Sequence, residues 1–370
     1  MRPNGTEVPL SAAAAQSQHG ALRRVTSLTG WLSRRKGTAS QAAPKVSVVM
    51  PVYNAETTLE ECLAKLGGST FDDFEVVVVD DGSTDRSKEI MDRFPVRVIP
   101  TSGRVGPAAA RNLGAQVATG EVLFFIDSDV MVRPDTIALL AEGFTQSAVD
   151  GFCGVQAAEM RHRNLVSQYK NLWMRWTYLR QTGDVPLFYT TAAALRRDTF
   201  LRVGGFDVGY ATPNVEDTAF GQKLRRLGVR VRIHPQLEVE HVKRYSLSGL
   251  LRTDFMRAVS LTRLKLRHPE DLGDNNTSVP ATYMASVPLS GIAFLGLVLG
   301  IVLGWTPATI VGLLAAAGVI GLNLGFLDAI RRSDGWGRAL AAVPVLWLEL
   351  LVVGAGTAIG LCSFPFGRRY

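Results

Sequence analysis

The amino-acid sequence predicts an α/β domain with a mostly parallel sheet, followed by a C-terminal region of membrane-spanning helices. Two patterns along the 370 residues lead to this prediction. From Lys45 onward, short apolar runs alternate with helical segments, which is typical of a parallel sheet covered by helices on both faces. From Asn275 to Leu327 no acidic, basic or histidine residue occurs, and this stretch is far longer than one bilayer crossing requires.

The order of elements defines the α/β domain, to which we assign residues 44–242. Apolar runs predict strands at 46–50, 74–80, 96–99, 121–127, 229–233 and 237–241. The segments between and after the first four predict helices at 55–66, 85–93, 107–118 and 215–227. Because ligands of such sheets bind at the carboxyl ends of the strands, residues that follow the strands are the first candidates for a site.

Three predicted strands end in unusual polar residues: Pro51 to Asn54, Asp80 to Asp85, and Asp127 to Asp129. A helix-capping turn explains residues 82–85 but does not require both Asp80 and Asp81, so one of these carboxylates is expected to bind a ligand N–H.

Two further features of this part of the chain concern ions. Asp127 and Asp129 can offer oxygen ligands to Mg²⁺ or Mn²⁺, although such a pair also recurs by chance in loops. Arg111 lies one turn into the helix that starts at Pro107, where it is either part of an anion site or a surface charge.

The C-terminal region, residues 275–370, is predicted to hold about three spans at 285–303, 308–327 and 339–361. The loop 328–338 between the last two spans is rich in arginine, so this loop and the α/β domain are expected on the cytoplasmic side of an inner (plasma) membrane. Arg368 and Arg369 leave a re-entrant third segment as an alternative. Residues 243–274 carry an apolar face and several arginines, which predicts amphipathic helices at the membrane surface.

The composition and charge exclude several other classes. With 47% hydrophobic and 20% charged residues, the chain is neither disordered nor collagen-like, and three scattered cysteines exclude a cysteine metal cluster. The net charge of +7 is concentrated in residues 1–45 and 243–268, which lack the interleaved aromatics of a base-stacking surface, so no nucleic-acid partner is expected. Residues 1–43 are predicted to form a flexible basic arm and not a signal peptide.

Taken together, the motifs resemble glycosyltransferase family 2, the inverting nucleotide-sugar transferases with the GT-A fold. The resemblance runs from about residue 45 to about residue 258. It rests on six segments: 46–54 (VSVVMPVYN), 80–85 (DDGSTD), 110–114 (ARNLG), 127–129 (DSD), 204–207 (GGFD) and 216–217 (ED). Processive members carry Gln-x-x-Arg-Trp, whereas this chain has Arg252 to Arg257 and no tryptophan there, which favours a non-processive enzyme.

The resemblance implies a nucleotide-sugar site. Tyr53 resembles the aromatic that packs on the base, and Asp81 resembles the acceptor of a base N–H. Arg111 resembles the group that supports the sugar-phosphate side, with a structural ion pair to Asp127 as the alternative. The remaining residues implied in nucleotide-sugar binding are Pro51, Asn54, Asp127 and Ser128.

The resemblance also implies a cation site and a general base. Asp129 would bind a divalent cation, Mg²⁺ or Mn²⁺, with Asp127 and a late histidine, His241, completing the site. Acidic residues in a first helical turn are ordinarily caps, but the family has its general base in this acidic pair. Asp217 is therefore expected to be the base and Glu216 a positioning group or second candidate.

The function implied is transfer of a sugar from a nucleotide diphosphate, with UDP favoured, to a hydroxyl of a lipid or glycan acceptor at the cytoplasmic leaflet. Membrane lipids are expected as further partners. Two alternatives remain: a polyprenyl-phosphate glycosyltransferase, and a catalytically dead membrane scaffold with the same fold.

Overall fold

The computed structural model describes residues 45–210, 214–268 and 278–366. The predicted basic arm, the end of the predicted surface region and Arg368 and Arg369 lie outside these residues. Within them, eight strands form one sheet. The strands are β1 (Val46–Val52), β2 (Phe74–Asp80), β3 (Arg97–Pro100), β4 (Val122–Phe125), β5 (Val130–Val132), β6 (Gly151–Gln156), β7 (Ala193–Arg196) and β8 (Val231–His241).

Eleven α-helices accompany the sheet in the described part of the chain. They are α1 (Leu59–Gly67), α2 (Ser87–Met91), α3 (Pro107–Val117), α4 (Thr136–Gln146), α5 (Leu165–Leu179), α6 (Arg197–Arg202), α7 (Glu216–Arg226), α8 (Leu247–Arg267), α9 (Ala281–Leu303), α10 (Thr306–Asp334) and α11 (Trp336–Ser363).

The strand order is β3-β2-β1-β4-β7-β6-β8-β5. The first four strands in this order pair in parallel, whereas β7 pairs antiparallel with β4 and β6, and β5 pairs antiparallel with β8. The parallel half brings the carboxyl ends of β1, β2 and β4 to one edge. The last antiparallel pair brings the end of β8 back to the residues that follow β4.

Both faces of the sheet are covered, as the continuous apolar strands predict. In β1, Val46, Val48, Met50 and Val52 pack in the core on one face, while Val49 packs in the core on the other. All five are at most 1% exposed. Period-two alternation with burial on both sides is typical of a central strand in an α/β domain.

Two of the differences between the structure and the predicted elements concern α1 and β8. Helix α1 starts four residues later than predicted, and the backbone N–H groups of Ala55 and Glu56 before it donate to the side chains of Ser87 and Asp85. The two predicted strands 229–233 and 237–241 are a single strand, β8. A shift in its register against β6 accommodates Pro235, which has no N–H to donate to the ladder.

Residues 164–184, for which the sequence pattern predicts no element, hold helix α5. Asn164 caps the helix by accepting a hydrogen bond of 3.0 Å from the backbone N–H of Ser167. Trp173 packs against Tyr283 and Phe326 of the apolar helices, with ring centroids 4.5 and 4.9 Å apart. Trp173 therefore belongs to the packing between the α/β domain and the C-terminal helices.

Helices α9, α10 and α11 are long and apolar enough to cross a membrane. They extend beyond the three predicted spans. Most of the predicted loop 328–338 is helical, and only Gly335, with a φ of 84°, lies between α10 and α11. Asp328 forms ion pairs of 2.7 and 2.6 Å with Arg331 and Arg332, which supports the extra turns of α10. The third segment is one continuous helix and not a re-entrant hairpin.

Helix α8 replaces the predicted group of amphipathic surface helices, and it packs along α11. The contact is close because small residues face each other. A Cβ added at Gly356 would lie 2.7 Å from the backbone oxygen of Phe255, and one added at Gly360 would lie 2.8 Å from Cβ of Thr262. The glycines of α11 therefore fix the distance between α8 and the last apolar helix.

We expect Gly356→Ala to destabilise the protein, because the added methyl group must push α8 away from α11. Overpacking of this kind costs about 1–3 kcal/mol, which should appear as a lower Tm in detergent. Gly321→Ala on α10 is the matched control, since no heavy atom lies within 4 Å of its added Cβ. Equal Tm values for the two variants would contradict the close packing of α8 on α11.

Candidate functional site

The carboxyl ends of β1, β2 and β4 border an open cleft of about 510 Å³, which we call the strand-end cleft. Each of the three polar strand ends contributes to it, as the sequence predicts. Its lining includes Pro51, Tyr53, Asn54, Asp81, Arg104, Arg111, Asp127, Ser128, Asp129 and His241. The structure therefore brings together every predicted nucleotide-sugar and metal residue.

Asn54 holds the neighbouring turn in place. Its side-chain oxygen accepts a hydrogen bond of 2.8 Å from the backbone N–H of Thr84, and its own N–H donates to Ser83. Asn54 has a positive φ of 50°, a conformation that asparagine tolerates better than most residues. Asp80, which is 2% exposed, accepts from the N–H of Ser83 and so closes the turn from within.

Asp81 organises the loop on the other side of the cleft. Its two carboxylate oxygens accept hydrogen bonds of 2.7 and 2.9 Å from the backbone N–H groups of Val105 and Gly106. Gly106 has a φ of 91°, which favours glycine, and directly precedes helix α3. Of the two adjacent carboxylates, Asp81 is the one that lines the cleft.

Tyr53 stands at the rim of the cleft and is 40% exposed. The guanidinium of Arg104 lies 4.2 Å from the centroid of its ring. A planar cation stacked on an aromatic ring forms a flat platform of the kind that also stacks on bases. The sequence pattern does not mark Arg104 as a site residue. It lies between Gly103 and Gly106, just before the helix that starts at Pro107.

Arg111 lies at the centre of the site and bridges two carboxylates from distant parts of the chain. Its guanidinium is 2.7 Å from Asp127 and 3.1 Å from Glu216, and the arginine side chain is only 5% exposed. Burial would lower the pKa of Arg111, but the two carboxylates outweigh this effect and raise it. The structural ion pair with Asp127 that the sequence left open is present.

The motif around Arg111 fixes where its side chain lies. A Cβ added at Gly114 would lie 2.5 Å from Val49, so glycine lets α3 pack closely on β1. Asn112 accepts from the backbone N–H of Phe206 at 2.9 Å and donates to its carbonyl at 2.8 Å. The segments 110–114 and 204–207 therefore form one packing unit, although about ninety residues separate them.

The pairing of β5 with β8 brings Asp129 to His241. In that register His241 lies opposite Val130, and its Nε2 atom is 3.1 Å from a carboxylate oxygen of Asp129. Burial would raise the pKa of Asp129, but the hydrogen bond and charge of His241 more than offset it, so the pKa is lowered. For Asp127, burial dominates over the charge of Arg111, and its pKa is raised.

The donor atoms at Asp129 and His241 fit a divalent cation that takes its other ligands from a substrate. In the described ranges, no three His, Cys, Asp or Glu side chains form a group that could hold a metal ion by themselves. Mg²⁺ is usually bound through one or two carboxylates together with substrate phosphates. A carboxylate and an imidazole at the mouth of an open cleft leave room for such ligands.

Behind the strand-end cleft lies a second cavity of about 470 Å³, which we call the central cavity. The two spaces share Arg111, Asp127, His241 and Lys243 as a common wall. The predicted base residues line the central cavity and open helix α7.

The two acidic residues at the start of α7 differ in their contacts. Glu216 accepts from Arg111 through one oxygen and from the N–H of Asn214 through the other, so both of its oxygens are engaged. Asp217 accepts only from Thr218 within its own turn and has no cation within 4.0 Å in the described residues. Burial, followed by the charge of Glu216, raises the pKa of Asp217 to about 6.

Three further residues of the central cavity were missed by the sequence analysis as site residues: Lys170, Tyr189 and Arg257. Lys170 lies on α5, a helix that the sequence pattern does not predict. Arg257 belongs to the basic segment that had been predicted to face lipid headgroups, and its guanidinium lies 5.6 Å from the ring centroid of Tyr189. No local sequence motif marks these residues, since the fold alone brings α5 and α8 to the cavity.

Comparison with known proteins agrees with this geometry. Residues 47–204 match the sequence model of the family described as "Glycosyl transferase family 2". The chain carries a glycosyltransferase family 2 domain. The match covers the 80–85, 110–114 and 127–129 segments and ends at Gly204, before Asp217 and His241. The family and the fold predicted from the motifs are confirmed.

Individual relatives cover only parts of the chain. Glycosyltransferase GlyG of Streptococcus pneumoniae is 38% identical over 114 residues, which is 30% of this chain and 38% of the relative. Validoxylamine A glucosyltransferase of Streptomyces hygroscopicus subsp. limoneus is 29% identical over 229 residues, which is 52% of this chain and 50% of the relative. This chain thus spans about two fifths to half of the length of these relatives.

One solved structure resembles nearly the whole chain. It is the mannosyltransferase PcManGT from Pyrobaculum calidifontis in complex with GDP-Man and Mn²⁺. The likeness has a TM-score of 0.51 at 19% sequence identity, and it covers 94% of this chain and 96% of that chain. At this identity the likeness shows the fold, a GT-A domain followed by C-terminal helices.

We expect Arg111→Met to destabilise the family 2 domain strongly, because Glu216, only 6% exposed, would be left buried without its cation. Removing one partner of a buried pair costs about 3–5 kcal/mol. Arg86→Met is the control: it removes an ion pair with Glu56 in which the arginine is 74% exposed, worth less than about 1 kcal/mol. The measurement is the Tm in detergent, and similar shifts for both variants would show that Arg111 does not support the site.

Proposed function

We propose that the protein is a membrane-associated inverting glycosyltransferase that moves a sugar from a nucleotide diphosphate to an acceptor, with Asp217 as the general base. One observation carries the proposal. Of the four acidic side chains that line the central cavity, Asp127 and Glu216 are paired with Arg111, and Asp254 with Lys170. Among the described residues, Asp217 alone of the four has no cation within 4.0 Å and remains available to accept a proton.

The strand-end cleft suits the nucleotide. The base would stack at Tyr53 and Arg104, and Asp81 would accept its N–H through lone pairs that the loop N–H groups do not use. A UDP-sugar is favoured because uracil offers one N–H at N3, although guanine offers an N–H as well. Pro51, Asn54 and Ser128 would line the ribose and phosphate path.

Asp129 and His241, with Asp127 beside them, would hold a divalent cation, Mg²⁺ or Mn²⁺, at the diphosphate. When bound, such an ion supplies positive charge that stabilises the leaving nucleoside diphosphate. Arg111 holds Asp127 in place through the buried ion pair. The cation bound to PcManGT in its complex is Mn²⁺, which is consistent with this choice.

The reaction is a single displacement. The acceptor oxygen forms a bond to the anomeric carbon while the bond from that carbon to the diphosphate oxygen breaks, and the nucleoside diphosphate leaves with the bonding electron pair. The hydroxyl proton passes to a carboxylate oxygen of Asp217. Because one displacement inverts the anomeric carbon, the product has the opposite configuration from the donor.

Helices α9, α10 and α11 would anchor the enzyme as a multi-pass protein of the inner (plasma) membrane, with the family 2 domain on the cytoplasmic side. The basic residues Arg331, Arg332 and Arg338 at the α10–α11 junction support this orientation. The acceptor would be a hydroxyl of a lipid or glycan. A polyprenyl phosphate is the second candidate, because Lys243, Arg252 and Arg257 line the central cavity without a carboxylate partner within 4.0 Å in the described residues.

We expect Asp217→Asn and Asp129→Ala to abolish sugar transfer, measured as release of nucleoside diphosphate and radiolabelled product from a panel of UDP-sugars and GDP-mannose with Mg²⁺ or Mn²⁺. Loss of a general base costs about 10²–10⁴-fold in rate. The control is Asp198→Asn, an exposed carboxylate remote from both cavities. Full transfer by both variants would refute the proposal, and nucleotide binding without transfer by the wild type would favour a scaffold.

The pH dependence follows from the raised pKa of Asp217, which is about 6. A general base acts only when unprotonated, so kcat/KM with a hydroxyl acceptor should fall about tenfold per pH unit below pH 6 and level off above it. Asp217→Asn should remove this dependence from any residual activity. A polyprenyl phosphate acceptor needs no general base, so tolerance of Asp217→Asn would identify the second candidate.

A further inference from the structure

A third cavity, of about 430 Å³, lies between α8 and the apolar helices, and we call it the helix cavity. Its wall consists chiefly of apolar side chains from α8, α9 and α11. They include Leu261, Leu266, Met284, Val287, Val353 and Leu361. Helices α9 and α11 are two of the three that are long and apolar enough to cross a membrane, so this cavity lies against the region where lipid chains would be found.

The helix cavity adjoins the central cavity. Lys170, Met174, Tyr189, Asp254 and Arg257 line both spaces and form the wall between them. A molecule that occupies both would therefore pass from an apolar space between helices to the carboxylate of Asp217.

The two cations of this shared wall differ in their contacts. Lys170 is held 2.6 Å from Asp254 and 3.7 Å from Glu349, so its charge is already balanced. Arg257 stacks over Tyr189 and has no carboxylate oxygen within 4.0 Å among the described residues. Arg257 therefore offers hydrogen-bond donors at the mouth of the apolar space, and it lies near the carboxylates of Asp217 and Asp254 without a direct ion pair to either in the described residues. The planar fork of arginine can bind a phosphate through two hydrogen bonds, as it does a carboxylate.

We propose that the acceptor is a lipid phosphate whose apolar chain occupies the helix cavity and whose phosphate binds Arg257 in the shared wall. This inference rests on the proposed function and specifies its acceptor. The chain replaces water along the apolar walls of α8, α9 and α11, and the phosphate fixes the depth of the headgroup. The acceptor oxygen, either on the phosphate itself or on a group attached to it, then faces Asp217 and the anomeric carbon of the donor.

In the transfer step, the acceptor oxygen forms the new bond to the anomeric carbon and the nucleoside diphosphate departs with the electrons of the broken bond. A phosphate oxygen brings no proton. A hydroxyl attached to the phosphate gives its proton to Asp217. Arg257 takes no part in these bond changes and acts as a binding and positioning residue.

The test compares two acceptor probes that share a phosphate: a long-chain polyprenyl phosphate and a short-chain, water-soluble prenyl phosphate. In the wild type the long-chain probe should have a KM lower by about tenfold or more, because only its chain fills the helix cavity. Val353→Trp should fill that cavity and raise the KM of the long-chain probe by about tenfold, with little change for the short-chain probe. Leu348→Trp, on the exposed side of the same helix, is the matched control.

Arg257→Gln should raise the KM of both probes by about tenfold, since both carry the phosphate, and Arg257→Lys should restore part of the affinity. Binding of UDP by each variant shows that the donor site is intact. Unchanged discrimination between the probes in Val353→Trp, or an unchanged KM in Arg257→Gln, would overturn the inference.

The failure of this inference can be distinguished from failure of the proposed function. Transfer to a soluble glycan, with no transfer to either phosphate probe, would overturn the lipid acceptor and leave the glycosyltransferase standing. No transfer to any acceptor would refute the proposed function. In that case the helix cavity is tested by binding alone. The long-chain probe should raise the Tm of the wild type more than that of Val353→Trp. An equal rise in the two proteins would overturn the inference that the lipid chain occupies the helix cavity.

Discussion

The arrangement of the whole site depends on the buried guanidinium of Arg111. It joins Asp127, in the segment that follows β4, to Glu216, the first residue of α7, through ion pairs of 2.7 and 3.1 Å. The two carboxylates are nearly ninety positions apart in the chain. A charge so deeply buried destabilises the folded state unless it is paired, and the two carboxylates offset the desolvation penalty of Arg111. Because Arg111 pairs with Glu216, the neighbouring Asp217 is left without a cation within 4.0 Å in the described residues. The same ion pairs hold the two segments together at the site.

Much of the α/β domain is predictable because its signals are local. Strand β2 occurs over the predicted residues, and α3 ends one residue early, since apolar runs and a proline at the first helical position encode these elements directly. The site residues of the strand-end cleft are equally predictable, since they follow strands whose ends must meet at one edge. The pairing of Asp129 with His241 also fits the family pattern, although only the β5–β8 register creates it.

What the sequence does not reveal depends on contacts between distant segments. Lys170 and Arg257 stand on helices with no motif around them, and they reach the central cavity only because α5 and α8 pack against the C-terminal helices. Glu349 illustrates the same limit. Its helix alone offers no counter-charge, and the partners that hold it, Tyr169 and Lys170, come from α5, about 180 positions earlier in the chain.

The contact between Tyr169 and Glu349 spans 180 positions in the chain, and it has a consequence for the order in which the protein is made. A ribosome releases the family 2 domain long before α11 is synthesised, yet the faces of α5 and α8 that pack on α11 lack that contact until the helix is in place. The contacts described on the proposed donor side are complete at His241, so this side can form before the apolar helices are made. The wall that faces the proposed acceptor is complete only when the last helix has docked, so under the proposed function the acceptor site would form after the donor site.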